Sequence, residues 1–425
     1  MKWIVRPSKL SGAIHIPPSK SHTVRAFLIS ALANGESVIK RPLIKGDGES
    51  ALKAAVSLGA RAEVRGEDVY VKGTGGDFNQ GSNFFDMGNS GTGLNLFCAA
   101  AALGSKARRF DGDASLRSRP MKPVMNALRE LGANITVESG TQDLPFVING
   151  PLRGGHVSVD GISSQFVSTL LLSAPLAKRD THITVYNIHE KPYIEMTLWW
   201  LEKQGIELEY SNDFTSYQIR GSQMYRPFDM RVPADFSSAA FSAVSGAIGN
   251  APVELAGLDF SDPQGDKKIF DVLASMGANI TYCEGTVKVC GGNLHGAVID
   301  LNSMPDALPA LSVAAACAKG ETIFTNVAQA RIKETDRIAV MVKELTKMGI
   351  EAVELPDGMA IQGGTLKGAH VNGRNDHRVV MALAIAGMNA SGETVIDTAE
   401  AAQVTYPTFA EDYRSLGADI TVQLC

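Results

Sequence analysis

The sequence predicts a two-domain inside-out α/β barrel, with six repeated αβ units (three per domain), helices buried within and sheets outside them. Three observations point there. A hydrophobic helix, a glycine and a strand return in that order six times. A second helix in each unit is apolar nearly all round. The chain also carries a spare strand at its start and lacks one at its end.

The repeat is anchored by Gly59 (SLGARAEV), Gly132 (ELGANITV), Gly205 (KQGIELEY), Gly277 (SMGANITY), Gly349 (KMGIEAVE) and Gly417 (SLGADITV). Successive spacings are 73, 73, 72, 72 and 68 residues, and so regular a register governs a fold. The helix before each glycine is amphipathic: Val124, Leu128 and Leu131 form one stripe, and Met341, Leu345 and Met348 repeat it. The glycine suits the left-handed residue that ends a helix. Two alternating strands joined by a tight turn follow, as in Ala62–Gly66 running into Val69–Val71.

The second helices are represented by 94–103, 166–176, 239–248, 308–318 and 379–388. Apolar on every side, they belong in an interior. The sixth repeat stops after one strand, Asp419–Val422, and Trp3-Ile4-Val5 precedes the first unit. Pairing those two strands completes the count. The expected domains are therefore 1–17 with 233–425, and 18–232.

The chain has 425 residues, 44% of them hydrophobic, enough for large cores. Forty basic residues against 45 acidic ones give a formal net charge of -5, which excludes a broad nucleic-acid surface. No run of about 18 uncharged apolar residues appears, so no membrane span is expected. Met1–Pro7 lacks the apolar core of a signal peptide. Cys98, Cys283, Cys290, Cys317 and Cys425 are scattered and lack CxxC spacing, which reads as a reduced, cytoplasmic chain without a zinc site. Cys283 and Cys290 fall where a hairpin could oppose them, with two half-buried thiols as the plainer reading.

A polar cluster opens each buried helix: Ser19-Lys20-Ser21, Asn89-Ser90-Gly91-Thr92, Ser163-Ser164-Gln165, Asp235-Phe236-Ser237-Ser238, Pro305-Asp306 and Asp376-His377-Arg378. Capping alone accounts for Asp235 and Ser237. It does not require Lys20, Gln165 or Arg378. Helix starts carry unpaired N–H groups and a partial positive charge, so several converging on one cleft would hold phosphates and carboxylates. Two arginines, Arg117 and Arg119, stand just before an amphipathic helix. In Arg331–Arg337, a helix would put Lys333 and Arg337 on one face with Glu334 beside them, and a salt-bridged surface helix is the plain alternative.

With these residues assembled, the chain resembles the 3-phosphoshikimate 1-carboxyvinyltransferase (EPSP synthase) family from end to end. The motifs are PSKSHTVRA at 18–26, GNSGT at 88–92, SLRSRPM at 115–121, SSQF at 163–166, KPYIEMT at 191–197, PDA at 305–307, RIKETDR at 331–337 and NDHR at 375–378. The resemblance implies an active site in the interdomain cleft, with shikimate 3-phosphate contacted by Lys20, Ser21, Arg25, Ser163, Ser164, Gln165, Tyr193, Gln329 and Lys333. Phosphoenolpyruvate would meet Lys20, Gly91, Thr92, Arg119, Arg337 and Arg378, and the planar forks of the three arginines suit carboxylate and phosphate. Asp306 would lie near the attacking 5-hydroxyl and Glu334 near the enolpyruvyl methylene, with Lys20 assisting. Among lysines and arginines Glu334 tends to stay ionised, so its use as a proton donor requires closure or ligand charge. The resemblance implies no cofactor or metal, and small-molecule substrates for a monomer.

Four positions depart from the family pattern. Asn95 stands where an arginine is usual, and Val404 where many members have lysine, with Arg117 as a possible substitute charge. Glu190 and Gln329 stand where serine and asparagine touch the acceptor. A relative acting on UDP-N-acetylglucosamine usually has a cysteine in the loop spanned here by 113–119, which holds none. A paralogue using another phosphorylated alcohol, or a non-catalytic anion-binding repeat protein, are the remaining alternatives. Asp306 and Glu334 weigh against the last, since a pure anion binder gains nothing from carboxylates there.

Overall fold

The computed structural model describes residues 1–424; Cys425, grouped above with the reduced thiols, lies outside the described residues. The chain divides into two compact units, Met1–Pro17 with the segment from Pro233 onward, and Pro18–Val232. Each unit contains three four-stranded sheets and its own hydrophobic core.

All six sheets share one pattern: a parallel edge pair followed by two antiparallel pairings. In one, Phe84–Asp86 runs parallel to Arg108–Asp111, which pairs antiparallel with Phe146–Asn149, and that strand with Asn134–Val137. The register stacks Phe85 on Phe110 at 4.5 Å and Phe110 on Phe146 at 5.4 Å. Such aromatic pairs add about 0.5–1.5 kcal/mol each beyond area burial.

The repeat's glycines behave as their spacing requires. Gly59, Gly132, Gly205, Gly277, Gly349 and Gly417 all have φ between 68° and 113°, which a side chain disfavours and glycine does not. Helices Gly91–Ala101, Phe236–Ile248 and His377–Met388 are buried along nearly their whole length. The strands instead alternate buried positions with half-buried or exposed ones. Helices inside and sheets outside is the architecture of both units.

Three strands close sheets far from their own place in the sequence. Lys2–Arg6 inserts between Thr394–Asp397 and Asp419–Gln423, with Trp3 opposite Val422. Gly12–His15 runs parallel to Val253–Ala256. In the other unit Asp229–Arg231 runs parallel to Glu36–Lys40.

Two local expectations change. Cys283 pairs with Thr286 and Cys290 with Asn279, so the two thiols sit at opposite ends of their hairpin; Cys283 is exposed. Burial pushes the Cys98 and Cys317 thiols up to about 12. Among the described residues no helix is long and apolar enough to cross a membrane.

Candidate active site

In the unit of residues 18–232 the candidate residues gather at three helix starts. Helix Lys20–Leu32 is capped by Ser19, whose hydroxyl accepts from His22 N–H at 3.4 Å. Lys20 is 7% exposed, and its Nζ lies 3.4 Å from the equally buried Asp47. Ser21 contributes its carbonyl to Arg25 at 3.1 Å. Arg25 is 2% exposed and already engaged: its Nε donates to Thr197 Oγ1 at 3.0 Å, and Nη2 to Thr197 Oγ1, Ser168 Oγ and the Tyr193 carbonyl. Burial lowers its pKa to about 10. In this geometry Arg25 ties three helices together.

At the second start, Ser90 Oγ caps helix Gly91–Ala101 by accepting from Gly93 N–H. Gly91 is needed for close approach: a Cβ there would lie 2.6 Å from Arg119 Nη1. Arg119 therefore lies against the helix's first residue, donating from Nη2 to Asn89 Oδ1 at 2.6 Å and to Ser115 Oγ at 3.3 Å. Arg117 does not join it. Its fork is bidentate to Asp111 at 2.9 Å on both sides, so it supplies no substitute for the missing basic groups.

Asn95 joins the second start to the third. Its amide donates to Gln165 Oε1 at 2.9 Å, and Gln165 Nε2 donates to Thr92 Oγ1 at 3.1 Å. Where an arginine is usual, this chain has a neutral chain of amides that fixes Gln165. Ser163 caps helix Ser164–Ser173 through Gln165 N–H at 3.4 Å. Ser164 directs both its N–H and its hydroxyl to Glu190 Oε2, at 3.2 and 2.7 Å.

The unit of residues 1–17 and 233 onward holds a different arrangement around Arg337, which is 1% exposed. Arg337 donates from Nη1 to Asp306 Oδ1 at 2.8 Å, from Nη2 to Glu334 Oε2 at 2.6 Å, and from Nε to Asp376 Oδ2 at 2.8 Å. Burial by itself disfavours the charged guanidinium, yet Asp376, Glu334 and Asp306 hold its pKa well above the ordinary arginine value. Arg378 Nη2 reaches the other oxygen of Asp306 at 2.8 Å. Asp376 also caps helix His377–Met388, accepting from Arg378 N–H at 2.9 Å.

The helix expected through 331–337 starts only at Arg337. Asp336 is its N-cap, accepting from Ala339 N–H at 3.0 Å, and Lys333–Thr335 form a bend after the 3-10 turn Ala328–Ile332. Capping by Asp336 outweighs the i,i+4 spacing. Glu334 meets Arg337 from that bend, and Lys333 is half-buried there. Gln329, 1% exposed, stands apart from this network and donates to the Asn302 carbonyl at 3.4 Å.

Three participants were not picked out as site residues from the sequence: Asp47, Asp376 and Asp266. Only Asp376 carried a local signal, its place in NDHR. Asp266, 2% exposed, accepts from Ser237 Oγ, so Ser237 does more than cap; Asp235 is the cap, accepting from Ser238 N–H at 2.9 Å. Burial and then the charge of Asp306 push the Asp266 carboxyl up to about 7, against the opposing pull of Arg378.

Helix-start donors and arginines gathered with carboxylates can hold anions and move protons beside them, the chemistry of an anionic-group transferase. The model of the family described as EPSP synthase (3-phosphoshikimate 1-carboxyvinyltransferase) matches residues 4–413. A protein of Ruminiclostridium cellulolyticum named 3-phosphoshikimate 1-carboxyvinyltransferase is 48% identical over 98% of both chains. One of the same name from Acetivibrio thermocellus is 46% identical, again over 98% of both. A solved EPSP synthase of Acinetobacter baumannii superimposes with a TM-score of 0.82 at 27% identity, covering 99% of this chain and 100% of that one. The chain belongs to the EPSP synthase (3-phosphoshikimate 1-carboxyvinyltransferase) family.

Proposed function

We infer that the chain transfers the enolpyruvyl group of phosphoenolpyruvate to the 5-hydroxyl of shikimate 3-phosphate, releasing phosphate. The family match across residues 4–413 carries this reading. The 5-hydroxyl oxygen adds to C2 while C3 gains a proton, giving a tetrahedral ketal phosphate. C3 then loses a proton as the C2–O bond to phosphate breaks, leaving the enol ether.

In this reading Lys20, Ser21, Arg25, Ser163, Ser164, Gln165, Tyr193, Gln329 and Lys333 serve the acceptor. Gly91, Thr92, Arg119, Arg337 and Arg378, again with Lys20, serve phosphoenolpyruvate. Both clusters work in one reaction. Because Arg337 is saturated by carboxylates, an incoming anion takes the place of one of them. A carboxylate that loses its arginine partner becomes easier to protonate. Substrate binding thereby prepares Asp306 to accept the hydroxyl proton and Glu334 to exchange the C3 proton. The arginines neutralise the charge of the departing phosphate. Phosphorylated substrates and free thiols such as Cys98 fit a cytoplasmic setting, and light scattering of the purified chain checks the expectation of a monomer.

The test is phosphate release from both substrates, with each omitted in turn. Release that needs both, and disappears in Lys20→Ala, supports the reading. Phosphoenolpyruvate binding without release would move the acceptor to another phosphorylated alcohol. A Glu334→Gln variant that still binds phosphoenolpyruvate but no longer turns over would exclude a mere anion binder.

A further inference from the structure

Glu190 is 1% exposed and held at φ 55°, ψ 39°, a left-handed conformation for a residue with a side chain. It precedes helix Lys191–Lys203, whose first turn contains Pro192. Its Oε2 accepts two hydrogen bonds from Ser164, one from the hydroxyl and one from the N–H at the start of helix Ser164–Ser173. A buried carboxylate there is bound as a ligand anion would be: charge-assisted hydrogen bonds, favoured by the positive end of a ten-residue helix. A carboxylate and a phosphate dianion cannot use the same N–H and O–H together, and side by side they repel.

We propose that Glu190 is an internal competitor for the acceptor's phosphate, which must displace it from Ser164. This rests on the reading that the Ser163–Gln165 segment receives the acceptor. Glu190 thus sets acceptor affinity: it weakens binding of a phosphorylated acceptor and leaves binding of the same acceptor without phosphate nearly unchanged. It is a specificity-determining residue, with no bond made or broken on it. In the resting chain it also satisfies the donors of Ser164, which would otherwise be buried without partners.

The experiment compares the unaltered chain with Glu190→Gln and, should that variant fold poorly, Glu190→Ser. Calorimetric titration measures binding of inorganic phosphate, shikimate 3-phosphate and shikimate, and initial rates give KM for the phosphorylated acceptor. Expected is tighter binding of both phosphate-bearing ligands by about tenfold, shikimate unchanged within about twofold, and loss of the gain when Ser164→Ala is added. Unchanged or weaker phosphate binding, an equal effect on shikimate, or a gain that survives Ser164→Ala would overturn the proposal. A crystal structure of the unaltered chain with shikimate 3-phosphate gives a variant-free check: Glu190 Oε2 must have left Ser164. Inorganic phosphate titration needs no turnover, so a chain inactive on shikimate 3-phosphate would refute the proposed acceptor and still decide the role of Glu190.

Discussion

In the unit of residues 18–232 the helix starts present hydroxyls, amides and backbone N–H groups, with Lys20 and Arg119 as the charges beside them. The equivalent places in the other unit carry Asp235, Asp306 and Asp376, while Asp336 caps the helix that begins at Arg337, with Arg337 and Arg378 drawn inward among carboxylates. One repeat thus yields two chemistries. Where the cap is serine, the helix start can still accept an outside anion; where it is aspartate, the anion is built in and its arginine partner becomes the exchangeable group. The serine side is not free of built-in anions: Glu190 binds Ser164, and Asp47 lies beside Lys20.

The hardest way to break this contrast is Arg337→Ala. It leaves Asp306, Glu334 and Asp376 without their common cation, so it should cost about 3–5 kcal/mol in urea unfolding. The corresponding loss in kcat/KM should be about 100-fold or more. A variant of unchanged stability would show that the carboxylates do not depend on Arg337.

Gly91→Ala acts on the serine side. The added Cβ meets only the flexible end of Arg119, and alanine suits a helix. Stability should hold while KM for phosphoenolpyruvate rises about tenfold. An unchanged KM would remove Arg119 from that subsite.

Asp266→Asn reads the aspartate side by pH. The folded-state pKa of Asp266, about 7, lies above its ordinary 3.8. The folded chain therefore binds this proton more tightly than the unfolded one, and the associated stability is present at low pH and lost as pH rises through 7. Between pH 5 and 8 the unaltered chain should lose melting temperature by an increment that Asp266→Asn lacks. Parallel curves for the two proteins would contradict this. The smallest effect concerns thiols: among described cysteines, exposed Cys283 should react first with a thiol reagent, and buried Cys98 only on unfolding.

The repeat was legible because helix and strand periodicity, with a glycine of forced conformation, are local properties. The helix starts were legible for the same reason. Partners were not. Arg25 meets Ser168 and Thr197 across 143 and 172 residues, and nothing near Arg25 announces either contact. The departure at position 190 was visible, while its bond to Ser164 depends on how two helices pack. The Lys333–Arg337 spacing misled because two local rules competed, and capping by Asp336 prevailed over side-chain pairing.

The strand Lys2–Arg6 lies between two strands from the other end of the chain. During synthesis it leaves the ribosome long before its neighbours, Thr394–Asp397 and Asp419–Gln423. The unit of residues 18–232 closes its own sheet once Asp229–Arg231 has emerged, so it is free to fold while the rest is still being translated. The strand Lys2–Arg6 must wait, unpaired, until those two neighbours have been made. Its alternating Trp3 and Val5, buried in the finished sheet, make that waiting strand a natural client for chaperones that hold exposed apolar segments on nascent chains.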